Sequence, residues 1–143
     1  MRNGGFESGV ADGWSVTRTA DMTVTAGTNA LDGRFCALIQ TTRNGGTAEV
    51  SQRVRIPDVD GPMWLTFGSV MTPGAVSLFG NDLRLEVRRP DGAVEAEVWR
   101  EVTKTSQYAW RRYRVNLSGW RGRDVVLTFV AELSASSGQV SKF

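Results

Sequence analysis

The chain has 143 residues, a net charge of +2 and 41% hydrophobic residues. This length fits one domain over residues 1–143, which needs no disulfide or metal to bury a core. Histidine is absent and Cys36 is the only cysteine, which excludes histidine-dependent catalysis, His- or Cys-ligated zinc and an intrachain disulfide. No stretch approaches the roughly 20 apolar residues of a membrane span. The small charge, with no nucleic-acid motif beside it, predicts neither a nucleic-acid nor a membrane partner.

Apolar and polar residues alternate in several short segments separated by glycine, asparagine and proline. The segments are, in chain order, 50–56, 65–67, 83–87, 94–98, 112–115 and 125–129. A period of two residues is typical of half-buried β-strands, and no segment shows an apolar stripe at helical spacing. The pattern therefore predicts an all-β sandwich or barrel. Cys36, within an apolar run, is expected to be a buried thiol.

A hairpin is predicted around Arg89-Pro90-Asp91-Gly92, a typical turn sequence. Leu83, Leu85 and Val87 can share one face with Val94, Ala96 and Val98 only if the loop has two or four residues. The opposite, polar face then carries Arg84, Glu86, Arg88, Glu95, Glu97 and Trp99. Glu95 and Glu97 approach the carboxylate spacing of an inverting glycosidase, but an open sheet face does not raise the pKa of a general acid, so no enzyme is predicted.

Several motifs resemble one family along almost the whole chain. They are Asn3-Gly4-Gly5-Phe6-Glu7, Gly13-Trp14, the strand 48–56, Trp110-x-x-Tyr113, and the run from Val115 through Trp120 to Phe129. The chain resembles galactose-binding-like jelly rolls, in particular the carbohydrate-binding modules appended to xylanases. The resemblance implies a two-sheet antiparallel jelly-roll β-sandwich that binds a glycan without catalysis, with Phe6 and Trp14 in the core.

The resemblance also implies a structural calcium site and a closing strand. Glu7 matches one calcium ligand of the family, but its partner aspartate near the C-terminus is missing, so we expect at most a weak, partial calcium site. The closing strand is expected to be incomplete, because the chain stops at Phe143. The first strand, near residues 3–6, would then expose an edge. We therefore expect the two termini to lie at an inter-subunit contact of a homo-oligomer or a lattice.

The predicted ligand-binding residues lie on two strand faces. They are Trp99, Arg84, Glu86, Arg88 and Glu97, together with Trp110 and Arg112 on a second strand. An outward-facing Trp99 could stack on a pyranose while charged neighbours bind its hydroxyl groups. Alternatively, a loop or another subunit covers Trp99. The arginines 111, 112, 114, 121 and 123 are either a solvated face or a site for an anionic glycan or an acidic protein, and Trp64 is expected to be rim packing or an interface.

The sequence is compatible with two functions. The first is a glycan-binding module, which acts outside the cell. The second is a bacteriophage virion surface protein, either a head decoration or a tail protein, that uses the same sandwich to attach to a capsid or cell-surface assembly. An N-terminus that begins at Met1 without an apolar leader is expected of the second, because lysis releases phage proteins without a signal peptide.

Overall fold

The structure is a computed structural model, and it describes residues 1–41, 44–72, 81–103, 107–134 and 140–143. The described residues form ten β-strands and one short 3₁₀ helix, Ser118–Trp120. The strands are β1 (Ser15–Arg18), β2 (Met22–Gly27), β3 (Cys36–Thr41), β4 (Gly46–Arg55), β5 (Trp64–Thr72), β6 (Asn81–Arg88), β7 (Val94–Thr103), β8 (Gln107–Asn116), β9 (Asp124–Leu133) and β10 (Val140–Lys142). Among the described residues, no helix could span a lipid bilayer.

The strands form two five-stranded antiparallel sheets. Sheet A has the order β1-β4-β9-β6-β7, and sheet B has the order β2-β3-β10-β5-β8. The predicted all-β, two-sheet jelly-roll sandwich is thereby confirmed. Apolar residues on alternate positions meet across the register, as Val50 does with Phe129 and Val54 with Val125. The sequence alternation therefore places one face of each strand in a shared core.

The core contains the aromatic residues that open and close the chain. Phe6 stacks on Trp14 with ring centroids 4.8 Å apart, and the ring centroids of Phe143 and Phe129 lie 5.0 Å apart. All four side chains are buried, as is Cys36, which confirms the predictions for Phe6, Trp14 and Cys36. Burial of this many rings stabilises the sandwich without a disulfide.

The N-terminal segment differs from the sequence expectation, whereas the closing strand is short. β10 has three residues and lies inside sheet B, antiparallel to both β3 and β5. Phe143 extends it, since its N–H and C=O groups each pair with Ala37 at 3.0 Å. Asn3 and Phe6 lie in a turn with positive φ rather than in a strand. The prediction of an exposed strand edge near residues 3–6 is therefore wrong. The formation of a homo-oligomer no longer has this edge as support, and it stays a prediction.

The β6–β7 hairpin also differs from its prediction. Arg89 N–H donates to the Ala93 carbonyl at 2.8 Å, and Gly92, with φ of 93°, donates to the Arg89 carbonyl at 2.9 Å. The loop thus has three residues, 90–92, rather than two or four. The faces are kept in phase by a bulge, because Val87 pairs with Ala96 while Arg88 pairs with Val94. Val94 consequently turns to the outside and is 56% exposed.

A second bulge follows immediately along β7. Glu86 pairs with Glu97, whereas Leu85 pairs with Trp99, so one extra residue, Val98, is inserted between them. The insertion reverses the face on which each later residue of β7 lies. Trp99 therefore shares the interior face with Leu85, which is fully buried. The outward orientation predicted for Trp99 is wrong for this reason.

Candidate functional site

The outer face of sheet A contains four of the predicted ligand-binding residues. Arg84, Glu86 and Arg88 alternate on β6 with the buried Leu83, Leu85 and Val87, and Glu97 lies opposite Glu86 on β7. The structure therefore brings together Arg84, Glu86, Arg88 and Glu97, as predicted, but without Trp99. We call this surface the sheet A face.

Ion pairs within the sheet A face satisfy its charges. Glu86 accepts hydrogen bonds from Arg84 Nε at 2.8 Å and Arg88 Nε at 2.7 Å. Arg88 also forms a bidentate pair with Glu49, with distances of 2.9 and 2.8 Å. Arg84 pairs with Glu132 at 2.8 Å. This closed network uses most of the donors that could otherwise bind sugar hydroxyls.

The protonation of these groups follows from the network. Burial alone would raise the pKa of Glu86, but hydrogen bonds and charge from Arg84 and Arg88 lower it below its ordinary value. The hydrogen bond to Glu49 raises the pKa of Arg88 although burial opposes it. Glu86 and Arg88 therefore both stay charged at neutral pH, and their ion pairs connect neighbouring strands.

Trp99 lies between the sheets, where it closes one side of the sandwich. Its ring is 5.0 Å from Phe67 of β5 and 4.7 Å from Tyr113 of β8. The Tyr113 hydroxyl donates to Glu101, and burial together with this bond raises the pKa of Tyr113 to about 12. These contacts join the edge strands β7 and β8, so Trp99 has a packing role.

A second polar surface lies on the outer face of sheet B. Thr66 of β5 pairs with Arg114 of β8, and Gly68 pairs with Arg112. Alternate residues of both strands therefore share this face. Its members are Trp64, Thr66 and Gly68 of β5 and Trp110, Arg112 and Arg114 of β8. We call this surface the β5–β8 face. It contains the two remaining predicted residues, Trp110 and Arg112.

Trp64 and Arg114 form a stacked pair at one end of the β5–β8 face. The Arg114 guanidinium carbon lies 3.9 Å from the centroid of the Trp64 ring, and Trp64 is 43% exposed. In the described part of the chain, no carboxylate pairs with Arg114. The N–H groups of Arg114 are therefore available to an incoming ligand.

The loop between β2 and β3 covers the other end of the β5–β8 face. The Trp110 indole N–H donates to the Asn29 carbonyl at 3.0 Å, and Arg112 pairs with Asp32 at 3.1 Å. Leu31 lies over Gly68, where any larger side chain would collide with it. Glycine at position 68 thus permits the loop to approach the sheet.

A cavity of about 170 Å³ opens beside this loop. It extends from the β5–β8 face toward the aromatic core. Its lining includes Met1, Gly4, Gly5, Phe6, Trp14, Ala30, Leu31, Asp32, Phe35, Cys36, the β5 residues 65–68, Trp110, Arg112, Phe129 and Phe143. The sequence pattern did not predict this cavity, because its lining comes from segments that are distant along the chain.

Glu7 is held by backbone groups rather than by other acids. Its Oε1 atom accepts from the N–H groups of Arg34 at 2.9 Å and Phe35 at 3.1 Å. These donors cannot ligate a cation, and calcium needs six to eight oxygens. The described residues contain no group of three or more acidic, cysteine or histidine side chains suited to a metal. They do not fit a calcium site at Glu7, and residues 135–139 lie outside the described part.

The predicted arginine cluster divides among several surfaces. Arg111 pairs with Glu101 at 3.2 Å, while Arg123 pairs with Glu95. Arg112 and Arg114 alone lie on the β5–β8 face. The sequence analysis did not predict the stacking of Arg114 on Trp64. The alternation of Trp64 and Thr66 with the apolar Leu65 and Phe67 could have indicated that Trp64 lies on the outer face of β5.

Comparison with known proteins identifies the fold. No family model matches the chain, and no curated protein matches it. Solved structures do match: TmCBM61 in complex with β-1,4-galactotriose is 20% identical with a TM-score of 0.68, over 99% of this chain and 91% of that one. The CBM22-1 xylan-binding domain of Paenibacillus barcinonensis Xyn10C is 18% identical with a TM-score of 0.54, over 96% and 90%. The fold is that of a carbohydrate-binding-module sandwich.

A phage protein contains a similar sandwich. The enzymatically active domain of tailspike protein 4 from bacteriophage CBA120 is 14% identical, with a TM-score of 0.63 over 99% of this chain. This chain spans only 20% of that tailspike chain. At these identities the likeness establishes the fold alone.

Proposed function

We propose that this chain is a non-catalytic glycan-binding module whose binding site is the β5–β8 face. The observation that carries the proposal is the exposed Trp64–Arg114 stack, on the same face as Trp110 and Arg112. Indole rings pack against the C–H faces of pyranoses, and guanidinium N–H groups donate to hydroxyls. The solved relatives include modules with β-1,4-galactotriose bound and with xylan-binding activity, which supports a polysaccharide as the ligand.

The sheet A face is the weaker candidate. The described strands of sheet A present no aromatic ring on this face, because Trp99 and Phe129 both point inward. Arg84 and Arg88 already pair with carboxylates, and their side chains are only 19% and 18% exposed. A glycan would have to break these pairs in order to gain new hydrogen bonds.

The absence of catalysis is supported by the state of Glu95, one of the two glutamates with glycosidase-like spacing. Hydrogen bonds from Arg123 and Trp120 lower the pKa of Glu95. A general acid requires the opposite shift, because it must hold a proton at the working pH. Glu95 is therefore not suited to protonating a glycosidic oxygen.

The proposed setting is extracellular, where polysaccharides occur. A virion surface that contacts a host glycan is a second setting of the same binding function, and the tailspike likeness favours it only at the level of fold. Attachment to a capsid and homo-oligomer formation both stay predictions. Light scattering on the purified chain tests the oligomer.

Binding assays with two tryptophan variants test the site. We expect the chain to bind on an array that includes β-1,4-galactan and xylan, and Trp64→Ala and Trp110→Ala each to weaken that binding at least 10-fold, equivalent to about 1.4 kcal/mol. Val102→Ala is the control, since Val102 is an exposed apolar residue on β7. Its binding should match the parent chain. Absence of binding to any glycan, or equal binding by both tryptophan variants and the parent, would overturn the proposal.

A further inference from the structure

One arginine of the β5–β8 face is held in place by an aromatic ring. The guanidinium carbon of Arg114 lies 3.9 Å from the centroid of the Trp64 ring, and both side chains are exposed. A guanidinium this close to a ring packs with its flat face on the indole, whereas its N–H groups lie in the guanidinium plane. The ring therefore fixes the guanidinium without using any of its N–H groups.

The charge of Arg114 has no counterion within the chain. In the described part, no carboxylate pairs with it, and Asp58, which precedes β5, lies beside Gly122 instead. No aspartate or glutamate occurs in the remaining residues, which are 42–43, 73–80, 104–106 and 135–139. An anionic partner of Arg114 would therefore have to come from another molecule.

The charges of the whole β5–β8 face do not balance. Neither β5 nor β8 contains an acidic residue, while Arg112 and Arg114 both lie on this face. The loop between β2 and β3 supplies one carboxylate, Asp32, which pairs with Arg112 at 3.1 Å. That pair lies at the covered end of the face, and Arg114 lies with Trp64 at the other end. One positive charge is left at the open end, where it attracts an anion.

A carboxylate fits this arrangement better than a hydroxyl group. The guanidinium fork forms two parallel hydrogen bonds with a carboxylate, and such charge-assisted bonds are roughly twice as strong as neutral ones. The sheet A face contains this pairing, since Arg88 binds both oxygens of Glu49 at 2.9 and 2.8 Å. We expect a ligand carboxylate to pair with Arg114 in the same way.

We propose that the glycan bound by the β5–β8 face is acidic and that the carboxylate of a uronic acid unit pairs with Arg114. The inference rests on the proposed function, because it assigns the ligand class of the same site. The sugar ring of the acidic unit packs beside Trp64, and the polysaccharide continues along the face toward Trp110. A neutral sugar can use the indole rings, but it leaves the charge of Arg114 without a counterion.

Binding of acidic polysaccharides and of their methyl esters tests the inference. The probes are polygalacturonate, glucuronoxylan and alginate, each compared with its own methyl ester, which keeps the sugars and removes the charge. In calorimetric titrations of the full chain, we expect at least one acidic form to bind at least about 10-fold more tightly than its ester. If no acidic form has this advantage while a neutral glycan binds, the inference is wrong and the proposed function stands. Absence of binding to every glycan, neutral or acidic, would overturn both.

Arginine variants connect the preference to this site. Arg114→Gln should reduce the advantage of the acidic form at least about 5-fold, because it removes the forked cation. Arg114→Lys keeps the charge and loses the fork, so we expect an intermediate advantage, and it replaces Arg114→Gln in the comparison if that variant does not keep the parent melting temperature. Arg53→Gln is the matched control, since it removes one exposed charge from β4 and should keep the full advantage. An equal loss in Arg53→Gln, or an unchanged advantage in the folded Arg114 variant, would contradict the inference.

An acidic protein is the alternative partner for the same charge. Poly-L-glutamate carries carboxylates on a backbone that offers no sugar ring to Trp64. We expect it to bind at least about 10-fold more weakly than the preferred acidic polysaccharide, and Trp64→Ala to reduce that difference. Poly-L-glutamate that bound as tightly as the polysaccharide would show that the face recognises acidic polymers in general, and the inference of an acidic glycan would then be wrong.

Discussion

The outer faces of the two sheets differ in what their arginines contact. On the sheet A face, Arg84 pairs with three carboxylates and Arg88 with two, and both arginines are mostly buried. On the β5–β8 face, Arg114 lies on an exposed indole ring and Arg112 pairs with Asp32, whose side chain is 74% exposed. On the sheet A face, the arginine N–H groups are paired with carboxylates of the same face. On the β5–β8 face, arginine N–H donors and an aromatic ring remain exposed to solvent. A polar strand face is therefore a candidate binding site only when its hydrogen bonds remain available.

The largest expected contrast concerns tryptophans 99 and 64. Trp99→Ala should lower the free energy of unfolding by about 3 kcal/mol, because it removes a ring packed between the two sheets. Trp64→Ala should change it by less than about 1 kcal/mol, since Trp64 is exposed on one sheet. Urea denaturation of both variants measures the difference. Equal losses would contradict the assignment of Trp99 to packing and of Trp64 to the surface.

Trp99 also shows why sequence predicts a fold more securely than a site. The alternation of Leu83, Leu85 and Val87 correctly gave the strand and its buried face. The same two-residue period, continued along β7, predicted that Trp99 points outward. The prediction failed because a regular period does not include the extra residue of the bulge, Val98. A bulge hardly changes the local sequence pattern, yet it moves the side chains that follow it to the opposite face of the strand.

The β5–β8 face was only partly predictable for a related reason. Trp110 and Arg112 were identified from alternation within one strand. Trp64 and Arg114 join them through a strand pairing between residues about 50 positions apart, and Asp32 arrives on a distant loop. Sequence periodicity carries no information on which strands become neighbours. The cavity likewise depends on the position of β10 between β3 and β5.

The next contrast concerns removal of a charge from each face. Glu86→Gln should lower the free energy of unfolding by about 2 kcal/mol, because two largely buried arginines lose their shared carboxylate. Asp32→Asn, which removes the exposed partner of Arg112, should cost less than about 0.5 kcal/mol. Chemical denaturation at neutral pH compares the two. A cost for Asp32→Asn that matched Glu86→Gln would show that the β5–β8 face is as structural as the sheet A face.

The pH dependence of Glu86→Gln sharpens this contrast. The pKa of Glu86 is lower in the folded chain than its ordinary value of 4.5. The ionised carboxylate therefore contributes its stability above about pH 4.5, and that contribution is lost as the pH falls through the lower folded value. The stability difference between the parent chain and Glu86→Gln should be constant from pH 7 to about 5 and should shrink below it. A difference that grew as the pH fell would contradict the lowered pKa.

The smallest effect on stability is expected for Arg114. Its guanidinium stacks on an exposed ring and has no carboxylate partner in the described part of the chain, so Arg114→Gln should lower the free energy of unfolding by less than about 1 kcal/mol. Binding should respond more strongly, because the variant removes donors that only a ligand uses. We expect at least a 5-fold loss of glycan affinity, and Arg53→Gln, which alters an exposed arginine of β4, is the matched control. A variant that lost stability but kept its affinity would place Arg114 with the structural arginines of sheet A.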